Sequence, residues 1–156
     1  MALDQLLWLA TAAYGIHIAE EYALNWRAWA RSLTGLEVEW GFFFLVNSLV
    51  IVLGVVCAEV ARTMPAVALA FPALMLINAT FFHLGAFLWT RGRFSPGLIT
   101  ALLLFYPLGI WCFKAAHNAG LMSPSRWIGS FALGALLMAM PILLLKARGL
   151  AYFKQS

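Results

Sequence analysis

Five long apolar segments run through the chain, and the stretches between them carry most of its charge. They lie at about 5–26, 40–60, 66–89, 96–113 and 127–145. Each has the length that lets a helix cross a bilayer, about 17–25 residues. The pattern therefore predicts an all-α, polytopic membrane protein built as a bundle of about five transmembrane helices. Nothing in it indicates a second domain, so we expect residues 1–156 to form a single transmembrane helical domain.

The composition supports this class. Hydrophobic residues make up 64% of the chain and charged residues 10%, whereas ordinary soluble domains carry about 25% charged residues. Cys57 and Cys112 both fall inside apolar segments, which favours small buried residues over a disulfide pair. The net charge of +4 lies in the loops and the tail. We therefore interpret it as a topology signal and expect no nucleic-acid partner.

The basic residues divide unevenly between the two sides of the predicted bundle. The first loop, the third loop and the tail share seven, namely Arg27, Arg31, Arg91, Arg93, Lys146, Arg148 and Lys154. The other side has three, Arg62, Lys114 and Arg126. Because cytoplasmic loops are enriched in Lys and Arg, we expect an integral protein of a bacterial inner membrane with its N-terminus outside and its C-terminus cytoplasmic. On this topology His117 is an external loop residue, and Glu59 forms a solvated ion pair with Arg62.

Inside the first apolar segment, a stretch of five residues contains three ionisable side chains. His17, Glu20 and Glu21 are spaced i, i+3 and i+4, so they share one helix face, and Tyr14 and Asn25 continue that stripe. Each such group costs roughly 2.5–3.5 kcal/mol inside a membrane. The group therefore needs a cation, a shared proton or polar partners, which predicts a functional site. A polar cluster for helix packing, or an amphipathic surface helix, is the structural alternative.

Tryptophans near the helix ends allow depths in the membrane to be compared, because Trp prefers the interface. Counting from them at 1.5 Å per residue puts four polar residues about 8–11 Å inside the cytoplasmic interface: Glu20, Glu21, Asn47 and His83. His17 and Asn78 lie one turn deeper. Three helices are thus predicted to bring polar side chains to one level.

The stretch His17-Ile18-Ala19-Glu20-Glu21 resembles the motif that names the HXXEE family of small integral membrane proteins. The resemblance covers about the first two-thirds of the chain and includes Asn78 with His83, Phe94-Ser95-Pro96-Gly97 and Pro107-Leu108-Gly109. The chain differs from the family pattern at Phe94, where that pattern has Tyr. The resemblance implies a membrane protein with a metal or catalytic site, and it brings no known activity with it.

Two carboxylates with two imidazoles make a ligand set for one divalent ion, with zinc, iron or manganese as candidates. The predicted metal ligands are His17, Glu20, Glu21 and His83. Three of them, His17, Glu20 and Glu21, are also the predicted catalytic residues, with Glu20 available as a general base. The predicted supporting or substrate-binding residues are Tyr14, Asn47 and Asn78.

These residues suggest a small intramembrane metal-dependent enzyme, with hydrolysis as the leading reaction. Its many aromatic residues could line a pocket, so the expected partners are membrane lipids and an apolar or lipid-like small-molecule substrate. Three alternatives use the same residues: an iron-dependent membrane oxidoreductase, metal-free acid–base catalysis by two carboxylates that share a proton, and a proton- or cation-conducting transport module. A homodimer also stays open.

Two local patterns predict structural details. Ser95 and Pro96 suit the N-cap and first turn of the fourth long helix. The N-terminus of that helix could meet an anionic group, with a plain capped turn as the alternative. In the last segment Gly129, Ser130 and Gly134 suit close helix packing, so we expect that helix to be scaffold.

Overall fold

The structure is a computed structural model that describes residues 1–148, with side chains described up to residue 145. That part of the chain contains helices and connecting turns but no strand. Its helices are α1 Leu3–Ala23, α2 Trp26–Thr34, α3 Trp40–Glu59, α4 Pro65–Trp89, α5 Leu98–Asn118 and α6 Pro124–Arg148. The end of the predicted cytoplasmic tail, including Lys154, lies outside the described residues.

Four of these helices, α3 to α6, are long and apolar enough to cross a membrane. The chain therefore has the composition of a helical membrane protein. Five apolar spans were expected, and the described residues contain four. Helix α1 has the length, 21 residues, and yet is not among them. Its charged and imidazole side chains lower its apolar character: Asp4, His17, Glu20 and Glu21.

The stretch predicted as the first loop is a short amphipathic helix. Helix α1 ends at Ala23, and Asn25 adopts a left-handed conformation with φ 54°. The Asn25 side-chain oxygen accepts a hydrogen bond from the Ala28 N–H at 3.4 Å and so caps α2. Gly35, with φ 72°, ends that helix. Asn25 therefore does not continue the polar stripe of α1, which corrects the sequence prediction.

Helix α1 packs against α3 and α5, and α4 packs against α5 and α6. Large apolar side chains fill the space between them and are almost fully buried, among them Leu6, Leu7, Phe71, Leu74 and Phe105. Helix α3 approaches α1 closely at Gly54, where an added Cβ would lie 2.6 Å from Thr11 Oγ1. The core thus holds α1 in the middle of the bundle despite its polar end.

The contact of α6 with α4 explains two of the three small residues singled out in the last segment. At Gly134 an added Cβ would lie 2.8 Å from Ala73 Cβ. The Ser130 hydroxyl donates to the Ala66 carbonyl at 2.8 Å. The close packing predicted for these two residues is confirmed. Gly129 has no such neighbour within 4 Å.

Two polar contacts tie the loops together at opposite ends of the bundle. Arg93, in the α4–α5 loop, donates to the Ser32 hydroxyl of α2 at 2.7 Å. At the other end Arg62 forms an ion pair with Asp4, with 2.7 Å between Nη2 and Oδ2. The ion pair expected between Arg62 and Glu59 is therefore wrong, because Arg62 reaches across to the start of α1 instead.

Helices α4 and α5 each contain a π-helical segment, Asn78–Leu84 and Ala101–Phe105, and the two segments are in contact. In the first one the Gly85 N–H bonds to the carbonyl of Thr80, five residues back. This wider turn places side chains five residues apart on the same face. Asn78 and His83 have that spacing, so both face the interior of the bundle.

Candidate metal centre

Three buried side chains from two helices converge on one point. His17 and Glu21 lie on α1 and His83 lies on α4, with exposed fractions of 1%, 6% and 0%. The Nε2 atoms of His17 and His83 lie 3.7 and 3.6 Å from the same Glu21 oxygen, Oε1. The candidate ligand atoms of the three residues lie within 4.8 Å of one another. The expected proximity of His83 to the α1 carboxylates is thus confirmed.

Each imidazole is held at one nitrogen and leaves the other facing Glu21. Nδ1 of His17 lies 2.7 Å from Thr100 Oγ1, and Nδ1 of His83 lies 3.1 Å from Ser95 Oγ. Both Nε2 atoms are buried without a hydrogen-bond partner. Metal-binding histidines typically show this arrangement, in which the second ring nitrogen is bonded to a neighbouring group.

The distances approach those of a site for one ion. Zinc lies about 2.0–2.2 Å from imidazole nitrogen and carboxylate oxygen. Ligand atoms about 3.6 Å apart therefore subtend an angle of about 120° at an ion placed between them. The widest separation among the three ligand atoms, up to 4.8 Å, must close by about 1 Å for all of them to bind one ion at such angles. Three protein ligands also leave an open coordination position, as catalytic sites require.

Glu20 does not join this cluster. One of its oxygens accepts from the Gly97 N–H at 3.0 Å and the Ile99 N–H at 3.2 Å. The other accepts from the N–H and the hydroxyl of Thr100 at 2.8 and 2.6 Å. The structure therefore gives no support to Glu20 as a metal ligand or free general base. Consecutive helical residues point about 100° apart, so Glu20 faces α5 while Glu21 faces His83.

The α4–α5 connection supplies the groups that hold the cluster. Helix α5 begins at Leu98 after Gly97, which has φ 94°. Ser95 is fully buried against His83 instead of capping the helix, so its prediction as the N-cap is wrong. Of the two possibilities left open for this helix N-terminus, an anionic group or a plain capped turn, the structure has the first, because the Glu20 carboxylate accepts its N–H groups.

The three predicted supporting residues lie beside the cluster. The Tyr14 hydroxyl donates to Asn47 Oδ1 at 3.2 Å, and the Tyr14 ring stacks on Phe105 with centroids 5.5 Å apart. Asn47 also donates to the Phe43 carbonyl at 2.9 Å. Asn78 Nδ2 lies 3.9 Å from Met138 Sδ, and its buried Oδ1 has no partner. All three predicted residues line the cavity described next.

A cavity of about 450 Å³ adjoins the cluster. Glu21 and His83 are among its polar lining residues, while α2, α3, α4 and α6 contribute mostly apolar side chains. Phe81 and Trp89 also line it and are 69% and 74% exposed. The cavity therefore extends from the polar cluster to the outer surface of the bundle along α4.

Sequence reasoning missed Thr100 and the role of Ser95. Both are single hydroxyl residues at the start of an apolar segment, where Ser and Thr commonly serve as caps. The succession Ser95, Pro96 and Gly97 indicated an irregular backbone before the helix. No sequence pattern indicated a role for Thr100. His117, interpreted as an ordinary loop histidine, is exposed at the end of α5.

Together these features define an all-helical, membrane-type protein with a buried cluster of two histidines and one carboxylate beside an apolar cavity. The chain belongs to the HXXEE family, described as "Protein of unknown function with HXXEE motif", whose profile matches residues 8–112. The motif and every cluster residue fall within that range, so the resemblance noted from the sequence is confirmed. Comparisons with curated proteins and with solved structures each give no match.

Proposed function

We propose that this protein is a small intramembrane metal-dependent enzyme, a hydrolase acting on a lipid-like or other apolar substrate. One divalent ion would be held by His17, Glu21 and His83. The observation that carries the proposal is the convergence of two unpartnered Nε2 atoms on one Glu21 oxygen at the polar end of an apolar cavity.

A divalent cation would resolve the electrostatics of this cluster. Glu21 lies in a mostly apolar interior, where an isolated carboxylate charge is costly. A bound ion would accept lone pairs from two imidazoles and one carboxylate and would offset the buried negative charge. In a metal-free alternative a proton would have to be shared among the same three groups.

The proposal places α1 inside the membrane as a fifth embedded helix. Its polar residues face inward, His17 and Glu21 towards the cluster and Glu20 towards α5. Polar partners inside the protein therefore offset the free-energy cost of placing these groups within the membrane. The first and third loops lie at the same end of the bundle. With the basic residues there, that end is assigned to the cytoplasm of a bacterial cell and the N-terminus to the outside.

The substrate class follows from the cavity. Its walls are mostly apolar, and its rim residues Phe81 and Trp89 are exposed on the side of a predicted membrane span. A molecule with an apolar chain could enter sideways from the lipid and bring a polar linkage to Glu21 and His83. A bound ion supplies Lewis acidity and an activated water. With Glu20 engaged elsewhere, hydrolysis would depend on that water.

The donor set also favours a second candidate, an iron-dependent membrane oxidoreductase. Two histidines and one carboxylate with open positions are typical of non-haem iron oxygenases. Zinc hydrolases use two histidines and a glutamate as well. The metal that the protein retains on purification therefore distinguishes the two reaction classes.

The first test is elemental analysis of the full-length protein purified in detergent. We expect about one equivalent of zinc, iron or manganese, and its loss in His17→Ala, Glu21→Gln and His83→Ala. The control variants His117→Ala and Glu59→Gln remove an exposed imidazole and an exposed carboxylate, and they should retain the ion.

Removal of the ion with a chelator should lower the melting temperature of the parent protein. A ligand present at 100 times its Kd stabilises the folded state by about 2.7 kcal/mol. Glu21→Gln should not respond to the chelator. A metal-free protein that converts lipid substrates at full rate would contradict the metal centre. Proton leakage through metal-free reconstituted vesicles would instead support the transport alternative.

A further inference from the structure

A continuous chain of hydrogen bonds runs from Glu20 through Thr100 to His17. Thr100 Oγ1 lies 2.6 Å from Glu20 Oε2 and 2.7 Å from His17 Nδ1. Both contacts are short, and they share one hydroxyl group. A hydroxyl has a single proton to donate, so it cannot donate fully to both of these neighbours, and its third contact, to the Gly97 carbonyl, is longer at 3.2 Å.

The surroundings of Glu20 decide where that proton goes. The backbone N–H groups of Gly97, Ile99 and Thr100 already donate to this carboxylate. Glu20 also lies at the N-terminus of α5, where negative charge is favoured. Its other partners are all donors, and its 2.6 Å contact with Thr100 Oγ1 has the geometry of a hydroxyl donating to a carboxylate oxygen. Thr100 Oγ1 is then an acceptor towards His17, and His17 Nδ1 must carry a proton.

We infer that Glu20 is a positioning residue that acts through Thr100 to set the tautomer of His17. A neutral imidazole protonated at Nδ1 has its lone pair on Nε2. Nε2 of His17 faces Glu21 Oε1 at 3.7 Å and has no other partner. The relay thus prepares His17 to bind an ion through Nε2. This role of the hydrogen-bonded chain rests on the proposed metal centre, but the tautomer of His17 can be measured without any metal.

His83 provides an internal comparison. Its Nδ1 contacts Ser95 Oγ at 3.1 Å, and the Ser95 hydroxyl has a long 3.5 Å contact with the Pro96 carbonyl. No carboxylate contact is found for the Ser95 hydroxyl among the described residues. A carboxylate therefore acts through a hydroxyl on the proton of His17, and none is found to do so for His83 in the described part of the chain. This difference explains why the motif carries two adjacent glutamates with different partners: Glu21 faces the ion site and Glu20 orients a ligand.

The test is nuclear magnetic resonance of the metal-free, full-length protein labelled with ¹⁵N-histidine in detergent. The chain has three histidines, so His83→Ala and His117→Ala assign the signals of His17. We expect neutral His17 with its proton on Nδ1. In Thr100→Val, which removes the hydroxyl at nearly constant volume, the proton should shift to Nε2, where Glu21 accepts it. Thr100→Ser should restore the parent tautomer.

Glu20→Gln offers a second, independent variant. A glutamine amide can donate to Thr100 Oγ1, which frees the hydroxyl proton for His17 Nδ1 and should favour the Nε2–H tautomer. The parent protein alone can overturn the inference: neutral His17 protonated at Nε2 would do so even if no variant folds. An unchanged tautomer in folded Thr100→Val would also overturn it.

Metal titration separates this inference from the proposed function. Loss of a residue that orients a metal ligand typically lowers metal affinity 10–100-fold, so Thr100→Val should bind cobalt that much more weakly than Thr100→Ser. If the parent tautomer is as inferred but no ion binds, the metal centre fails and the relay stands. If the ion binds and Thr100→Val leaves both the tautomer and the affinity unchanged, the relay fails and the metal centre stands.

Discussion

Gly97 is the residue on which the geometry of both histidines depends. A Cβ atom added at Gly97 would lie 2.5 Å from Cε1 of His83 and 2.7 Å from Cε1 of His17. Its φ of 94° is also a conformation that residues with side chains rarely adopt. The two rings therefore approach each other and Glu21 only because this position has no side chain.

We predict that Gly97→Ala separates the two imidazoles. The variant should lose at least about 90% of its bound metal and about 1–2 kcal/mol or more of unfolding free energy, since the backbone strain alone costs that much. Metal content and thermal unfolding in detergent measure the two effects. Gly35→Ala is the matched control, because Gly35 has φ 72° but no neighbour within 4 Å of an added Cβ. It should lose stability and keep its metal; equal metal in both variants would contradict the prediction.

At this scale the sequence predicted the residues of the cluster better than the groups that hold them. The i, i+4 spacing of His17 and Glu21 is a property of any helix, and the tryptophan count brought His83 to the same level. Glu20 was expected beside Glu21 because the i+3 and i+4 positions share one helix face, but the two side chains point about 100° apart and contact different helices. Thr100 could not be found, because its partners lie on other helices.

At the scale of elements, the π-helical segment Asn78–Leu84 is the feature that shapes α4 at the site. Within it Asn78 and His83 share a face at a spacing of five residues. In a regular α-helix those two positions would diverge by about 140° (five steps of about 100°). The segment thus brings the cavity-lining Asn78 and the cluster residue His83 onto one side of α4.

We predict that deleting Phe81 abolishes metal binding without unfolding the protein. Phe81 is 69% exposed within the π-helical segment, so its deletion lets α4 become regular and changes the direction of His83. Helicity measured by circular dichroism should persist, while bound metal should fall by at least about tenfold. Phe81→Ala is the control, since it removes the same side chain and keeps the spacing. A deletion variant with full metal content would show that the wider turn is not needed.

The elements differ in how far the sequence reveals them. Each of the five apolar segments corresponds to a long helix, with ends that differ by up to five residues from the predicted ones, because uninterrupted apolar residues at this length allow little else. Helix α2 was taken for a loop, since its charged residues and short length hide an amphipathic pattern. The π-helical segments were not predicted, because one extra residue in a turn leaves the hydrophobic pattern of a buried helix nearly unchanged.

At the scale of the whole molecule, two contacts define its ends. Ser32 and Arg93 join the first and third loops at one end, and Asp4 and Arg62 lie at the other. This agrees with the grouping of loops from which the topology was predicted. Side-chain contacts fix which loops lie together, whereas the direction across the membrane depends on the basic residues.

We predict that Ser32 faces the cytoplasm and Ser125 the outside. Both residues are exposed, so Ser32→Cys and Ser125→Cys are matched variants for labelling with a membrane-impermeant thiol reagent in intact spheroplasts. Only Ser125→Cys should react before the cells are permeabilised. The parent protein is the control, because its Cys57 and Cys112 are buried. Labelling of Ser32→Cys alone would reverse the orientation.

The partners of Glu20 lie 77–80 residues after it in the chain. A ribosome that adds 5–20 residues per second needs about 4–16 s to make that stretch. During this interval the Glu20 side chain of α1 lacks the backbone N–H groups that compensate its charge, and by composition α1 is not an apolar span. We therefore expect the nascent α1 to wait at the insertion machinery or the membrane surface. Its burial would complete only when the N-terminus of α5 is synthesised, so the first helix made would be among the last to reach its final place.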